Sequence, residues 1–284
     1  MTERTQSIGR CLAIDTSSSA MTVAILENGK LLGEVSSYAE RNHSIGLIPH
    51  IQELLAKLDL KPKDLQTIAV GQGPGSYTGV RIAVSVAKTF AWSLGLDLIG
   101  ISSLEAIALG GAVKARDFNE INDPNEDKNG RGTTWVVPLL DGRRRQAFTA
   151  VYAFEDASPV TDEDALSTTW REVLPDGIRV IGPWTAQILS LIADSEQGQE
   201  PKEILFVGEV EGFAAELDQF AQEWDGLVNK RTYGIEAHYI GLLAYPRLLQ
   251  GEKAEVHTFV PNYTRLPEAE ANLLAGIVTK KGDY

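Results

Sequence analysis

Residues 71–81 read Gly71-Gln72-Gly73-Pro74-Gly75-Ser76-Tyr77-Thr78-Gly79-Val80-Arg81. Before them, Thr67–Val70 is a short apolar run that reads as a buried strand. After them, Tyr77–Leu94 has the spacing of a long helix. Strand, glycine-rich loop and helix in that order define an α/β unit. Glycine tolerates positive φ and close backbone approach, and such loops bind phosphate through free amides and the helix dipole. The run lacks the Gly-Lys-Ser/Thr of a P-loop and the GxGxxG spacing of a dinucleotide fold. Two readings fit it: a phosphate cradle, or a tight strand-to-helix turn.

The helix that follows is more informative. Gly79, Ala83, Ala87 and Ala91 recur every four residues as a stripe of small side chains, and Val80, Val84 and Phe90 supply an apolar face. Small residues at this spacing let another helix approach closely, in the same chain or in another subunit. Tyr77, Gly79, Val80, Ala83, Ala87 and Ala91 are therefore the candidate partner surface. The same stripe would serve self-association into a homodimer.

Upstream, the apolar run Cys11–Ile14 ends at Asp15, followed by the small polar turn Thr16-Ser17-Ser18-Ser19. Met21–Leu26 and Leu31–Ser37 flank Asn28-Gly29, a type I′ hairpin signal. These segments predict a three-stranded antiparallel meander. Ile45–Leu58 has helical spacing and is broken by Pro62. Leu98–Ile101 is strand-like, and Ser102 with Glu105 has capping-box spacing for a helix to about Leu109. Residues 1–110 thus read βββ-α-β-α-β-α, an N-terminal unit that the helix 235–250 is a candidate to complete.

Residues 111–284 read as a smaller second unit. It begins with a polar stretch at 113–133, expected to be a surface insertion or mobile loop. Thr134–Leu140 and Gln146–Phe154 form a hairpin around Asp141-Gly142. The strands Arg179–Ile181 and Ile204–Val207 each lead into a helix, at Trp184–Ala193 and Gly212–Trp224. Ile235–Leu249 is the last helix, and the tail from Glu255 is extended.

The 284-residue chain has a formal net charge of -13, which makes it a poor stand-alone binder of nucleic acid. Arg143-Arg144-Arg145 is a local exception: a solvated turn, or a contact to RNA, nucleotide or an acidic partner. One cysteine, Cys11, excludes an internal disulfide and a cysteine zinc site. The N-terminus is polar, with no signal-peptide core, and no apolar run approaches the ~18 residues of a membrane span. A cytoplasmic location without membrane contact is expected.

LAIDTSSSAMTVAI (12–25), GQGPGSYTGVRIAVSVAKTFA (71–91), LIGISSLEAIA (98–108), DGRRRQAFTAVY (141–152) and VPNYTRLPEAE (260–270) occur in the order seen in the TsaB (YeaZ) family, which this chain resembles over nearly its whole length. The resemblance implies the actin-like ATPase (ASKHA) fold, with two RNase H-like domains of mixed sheets flanked by helices. It also implies a part in making N6-threonylcarbamoyladenosine at position 37 of tRNA. There the family pairs, as a non-catalytic subunit, with a catalytic TsaD-type paralogue, and a TsaE-type ATPase joins them. Contact with tRNA comes through the complex. No cofactor is required of this chain, and the resemblance leaves room for ATP or ADP and a divalent metal in the assembled complex. The paralogue's His-x-x-x-His metal motif aligns with Ser103 and Ile107, neither of which replaces imidazole.

By the same resemblance, Asp15 stands where actin-like ATPases hold a magnesium-linked carboxylate, with Thr16, Ser17 and Ser18 as nucleotide-binding candidates. A structural turn is the competing reading. His43 and His50 are two helical turns apart, about 10 Å of rise, too far to share a metal. The family's older glycoprotease (M22 peptidase) label finds no HExxH or GxSxG here. A scaffold subunit is the leading expectation; the alternative is an actin-like ATPase or small-molecule kinase with its own nucleotide site.

Overall fold

The computed structural model describes residues 8–38, 43–122, 132–154, 170–195 and 200–264. Strands β1 (Arg10–Asp15), β2 (Ala20–Glu27) and β3 (Lys30–Tyr38) form the expected meander. Its second turn carries positive φ at Asn28 (52°) and Gly29 (83°), as the Asn-Gly pair requires. Helix α1 (His43–Lys57), strand β4 (Thr67–Gly71), helix α2 (Tyr77–Leu94), strand β5 (Asp97–Ile101) and helix α3 (Ser103–Asn122) follow. The first sheet has the order β3-β2-β1-β4-β5, with β4 and β5 parallel to β1.

The second half repeats this plan. Strands β6 (Thr134–Asp141), β7 (Gln146–Phe154) and β8 (Trp170–Val180) form an antiparallel meander. Helix α4 (Ile181–Ala193), strand β9 (Glu203–Gly208), helix α5 (Ala214–Glu223) and strand β10 (Leu227–Thr232) follow. The sheet order is β10-β9-β6-β7-β8, with β9 parallel to β6 and β10 to β9. Read from the other edge, it is the first sheet's order again. The fold is therefore the actin-like α/β fold, with two mixed five-stranded sheets flanked by helices.

Side-chain alternation along the strands separates three cores. Leu12 and Ile14 of β1 face outward to α1 and α2, while Cys11 and Ala13 face the middle layer. In β6, Trp135, Val137 and Leu139 face α4 and α5, while Val136 and Leu140 face the middle. The middle layer holds α3 and α6 (Ala237–Leu249). Helix α6 lies on the first sheet and α3 on the second, so the last helix completes the first layer despite its place in sequence.

Three boundaries differ from the sequence reading. Helix α3 continues to Asn122, through the start of the polar stretch and across the 110/111 junction, and Val113 is buried. The stretch at 123–131 and the N-terminal segment 1–7 lie outside the described residues. Strand β8 begins at Trp170, well before Arg179, and Ile181 opens α4 instead of ending a strand. Strand β10 carries Asn229, Lys230 and Arg231 at a sheet edge and has no apolar alternation to announce it. Among the described residues, no helix is long and apolar enough to cross a membrane.

Candidate functional site

The glycine loop closes over the end of β1. Asp15 is fully buried, and its Oδ1 accepts from Ser17 N (2.7 Å) and Ser17 Oγ (2.8 Å). Its Oδ2 accepts from Ser103 Oγ at 2.6 Å. Thr16 Oγ1 donates to Gly79 O at 2.6 Å, and Ser76 N donates to Ser17 O at 2.6 Å. Thr16 and Ser17 are buried as well, whereas Ser18 is half-buried and its Oγ accepts from Ala20 N. The nucleotide-binding candidates Asp15, Thr16 and Ser17 are thus turned inward. The Asp15 carboxylate ties β1 to Ser103 of α3, and the Thr16 hydroxyl and Ser17 carbonyl tie the turn to the start of α2.

The glycines explain how so tight a joint forms. A Cβ at Gly79 would lie 1.9 Å from Thr16 O, one at Gly75 2.3 Å from Ser17 O, and one at Gly71 1.7 Å from Asp15 Oδ2. Only glycine permits that approach. The loop is a strand-to-helix turn whose glycines admit a neighbouring backbone. Ser76 caps α2, its Oγ accepting from Gly79 N, and Gly95 ends the helix in the left-handed conformation (φ 67°).

The partner-surface prediction requires correction. Gly79, Val80, Ala83, Ala87 and Ala91 are all buried against β4, β1 and α1. The stripe is small because α2 lies close on its own sheet, not because another subunit approaches there. Of the predicted set only Tyr77 is exposed. The outward face of α2 carries Arg81, Ser85, Thr89 and Trp92, the last 71% exposed, with Ile82 and Val86 half-buried beside them. Arg81 lies over the Tyr77 ring (3.8 Å to the centroid), and its Nε donates to Tyr263 OH at 2.9 Å.

A second polar cluster joins the halves, and sequence reading missed it. A bulge in β8 re-aims Asp176. Its Oδ1 accepts from Tyr152 OH (3.1 Å) and its Oδ2 from Asn262 Nδ2 (3.2 Å) of the tail. Nearby, Arg247 of α6 donates to both oxygens of Glu105 at 2.7 and 2.8 Å. Glu105 N donates to Ser102 Oγ, so the capping spacing yields one of its two bonds. Burial raises the Glu105 and Asp176 carboxyls above their ordinary range, against the pull of Arg247 on the former. Cys11 is likewise pushed up to about 11 by burial.

Ser103 and Ile107, at the aligned positions of the paralogue's metal histidines, are both fully buried. His50 Nδ1 lies 2.7 Å from Gly46 O, and His238 is buried in α6. The side chain of His43 lies outside the described residues. Among the described residues, no three His, Cys, Asp or Glu side chains gather as a metal site.

Duplicated sheets with a buried polar joint at the first turn define an actin-like protein. Comparison with known proteins narrows the class. The family described as TsaD: tRNA N6-adenosine threonylcarbamoyltransferase matches residues 29–273. The Bacillus subtilis tRNA threonylcarbamoyladenosine biosynthesis protein TsaB is 31% identical over 92% of this chain and 96% of its own. The Escherichia coli protein of that name is 28% identical over 71% and 80%. The solved YeaZ from Pseudomonas aeruginosa covers 90% of this chain and 99% of its own, with a TM-score of 0.63 at 19% identity, a likeness of fold. The chain belongs to the TsaB (YeaZ) family.

Proposed function

We propose that this chain is a non-catalytic subunit of a tRNA threonylcarbamoyladenosine-forming complex. It pairs with a TsaD-type enzyme and activates threonylcarbamoyl transfer to adenosine 37. The observation that carries the reading is the closed Asp15 joint: the carboxylate that the resemblance places for nucleotide chemistry is buried and accepts from Ser17 and Ser103 of its own chain. Family membership supports the pathway, and Ser103 and Ile107 in place of the metal histidines support the absence of catalysis. ATP or ADP and the divalent metal then belong to the TsaD-type and TsaE-type partners, and the chain works in the cytoplasm, where tRNA is modified.

With the small stripe inside, pairing uses the outward face of α2 and its neighbour α1: Arg81, Ser85, Thr89 and Trp92, with Ile48 of α1. Aromatic and arginine anchors are the usual centres of such contacts. Co-purification with the TsaD-type paralogue, followed by tRNA modification with each component omitted, tests the proposal. Modification is expected to need both chains. Trp92→Ala is expected to weaken co-purification without changing Tm. Modification by this chain alone, or turnover of ATP with magnesium by the isolated protein, would overturn it.

A further inference from the structure

We propose that the β6–β7 turn, Arg143-Arg144-Arg145, is a phosphate-binding site that meets the backbone of RNA. All three arginines have positive φ, at 62°, 53° and 58°. L-residues other than glycine, asparagine and aspartate pay for that conformation. Elsewhere among the described residues, the chain gives positive φ only to such residues: Asn28, Asp59 and six glycines. Turn chemistry therefore does not account for the arginines. Strain held at a displayed charge points to a binding role.

The turn is held by its backbone. Gly142 N donates to Gln146 O (2.8 Å), Gln146 N to Arg143 O (3.0 Å) and Ile181 N to Arg145 O (3.2 Å). The nearby carboxylates already have donors. Asp141 Oδ1 accepts from Arg143 N (2.7 Å), Glu209 Oε2 from Asp141 N (2.6 Å), and Glu216 pairs with the Arg145 guanidinium. Arg143 and Arg144 are exposed, and neither side chain has an ion-pair partner among the described residues. Two planar donor forks are thus presented outward, a geometry that matches phosphate oxygens. On a chain of net charge -13, contact with a polyanion has to be local, and this turn is a contiguous basic surface.

The choice of RNA rests on the function proposed above, and the test separates the two. The probe is bulk tRNA, titrated against the complex of this chain with its TsaD-type partner at several salt concentrations. The variant is Arg143→Asn with Arg144→Asn, because asparagine accepts positive φ. Affinity is expected to fall about tenfold, and the slope of log affinity against log salt to shrink by about 2, one unit per lost phosphate contact. Tm is expected to hold or rise. Lysine at both positions restores most of the slope.

An unchanged slope in a folded, co-purifying variant overturns the proposal. Loss of co-purification also overturns it, in favour of an acidic protein partner. A variant that loses affinity for ATP or pyrophosphate but not for tRNA assigns the turn to a free nucleotide and overturns the RNA assignment. If modification proceeds without this chain, the functional reading fails while the slope still reports on the turn.

Discussion

The β1–β2 connection of the first half and the β6–β7 connection of the second occupy the same place in the repeated strand order, and the molecule treats them in opposite ways. Residues 16 and 17 are buried beneath the glycine loop, and their polar groups bond to Gly79, Ser76 and Asp15. Residues 143–145 stand exposed, with the Arg145 guanidinium paired to Glu216 and those of Arg143 and Arg144 outward. The cause lies in the next crossover. In the first half, Gly71–Gly79 brings the start of α2 down onto the turn. In the second, β9 leads to a short 3-10 turn (Val210–Phe213), and among the described residues Glu209 and Glu216 reach back from this crossover. Both fourth strands end in a glycine pressed on the first strand: a Cβ on Gly71 would strike Asp15 Oδ2, and one on Gly208 would lie 2.3 Å from Leu139 O. Topology fixes where a connection falls, and the loop beside it decides whether the connection is a joint or a surface.

The contrast is broken most severely by charging the inward face of α2. Ala83→Glu places a carboxylate with no partner in the outer core of the first half, where Ala83 has no exposure. An unpaired buried charge costs about 3–5 kcal/mol, a large share of ordinary domain stability. Loss of the helical circular dichroism signal or of soluble protein is expected. Ser85→Glu, two positions on and exposed, is expected to keep native Tm. A folded Ala83→Glu of native stability would mean that the stripe faces outward after all.

Gly79→Ala comes next. Its Cβ would overlap a backbone oxygen at 1.9 Å, so the strand end or the helix must move. Urea unfolding is expected to show a loss of about 3 kcal/mol, the upper part of the overpacking range. Arg144→Asn in the matching connection is expected to cost nothing. Equal losses at the two positions would erase the distinction between joint and surface.

Much of this was legible in the chain. The meander, the glycine loop and the bounds of α2 are local signals: alternation, Asn-Gly, clustered glycines and helical spacing. The direction of the α2 stripe was not, because a row of small residues serves a close sheet as well as a close subunit. Only the third dimension shows that Ala83 and Ala87 lie against β4. The Asp176 cluster was invisible for another reason. Its members, Tyr152, Asp176 and Asn262, are far apart in sequence, and a bulge that re-aims one side chain has no periodicity. Strand β10 was missed because an edge strand is free to carry Lys230 and Arg231.

Asp15→Asn sharpens the view of the first turn. The amide keeps an acceptor for one side of the site but turns an NH2 toward donors on the other, either Ser17 or Ser103. Loss of a charge-assisted bond in a buried site is expected to cost about 1.5–3 kcal/mol in urea unfolding. Native stability would mean that the carboxylate is not the fastener it looks to be. Measured binding of magnesium-ATP by the wild-type chain would show the joint opening to take a nucleotide.

The smallest expected effect is a pH dependence at the junction of the halves. Burial raises the Glu105 and Asp176 carboxyls above their ordinary values of 4.5 and 3.8. In the folded protein each therefore holds its proton at a pH where the unfolded chain has released it. The folded state binds more protons in that window, so stability falls as pH rises through it. The contribution is fully present below the unfolded values and is lost above the raised ones. Urea midpoints taken upward from pH 4 are expected to show this decline on top of the general acid response of the surface carboxylates. Glu105→Gln removes one titrating group, and Asp176→Asn removes the other while keeping an acceptor for Tyr152. Each variant is expected to flatten the decline relative to wild type. A decline that persists unchanged in both would place its origin away from this junction, and would leave Glu105 as an ordinary ionised partner of Arg247.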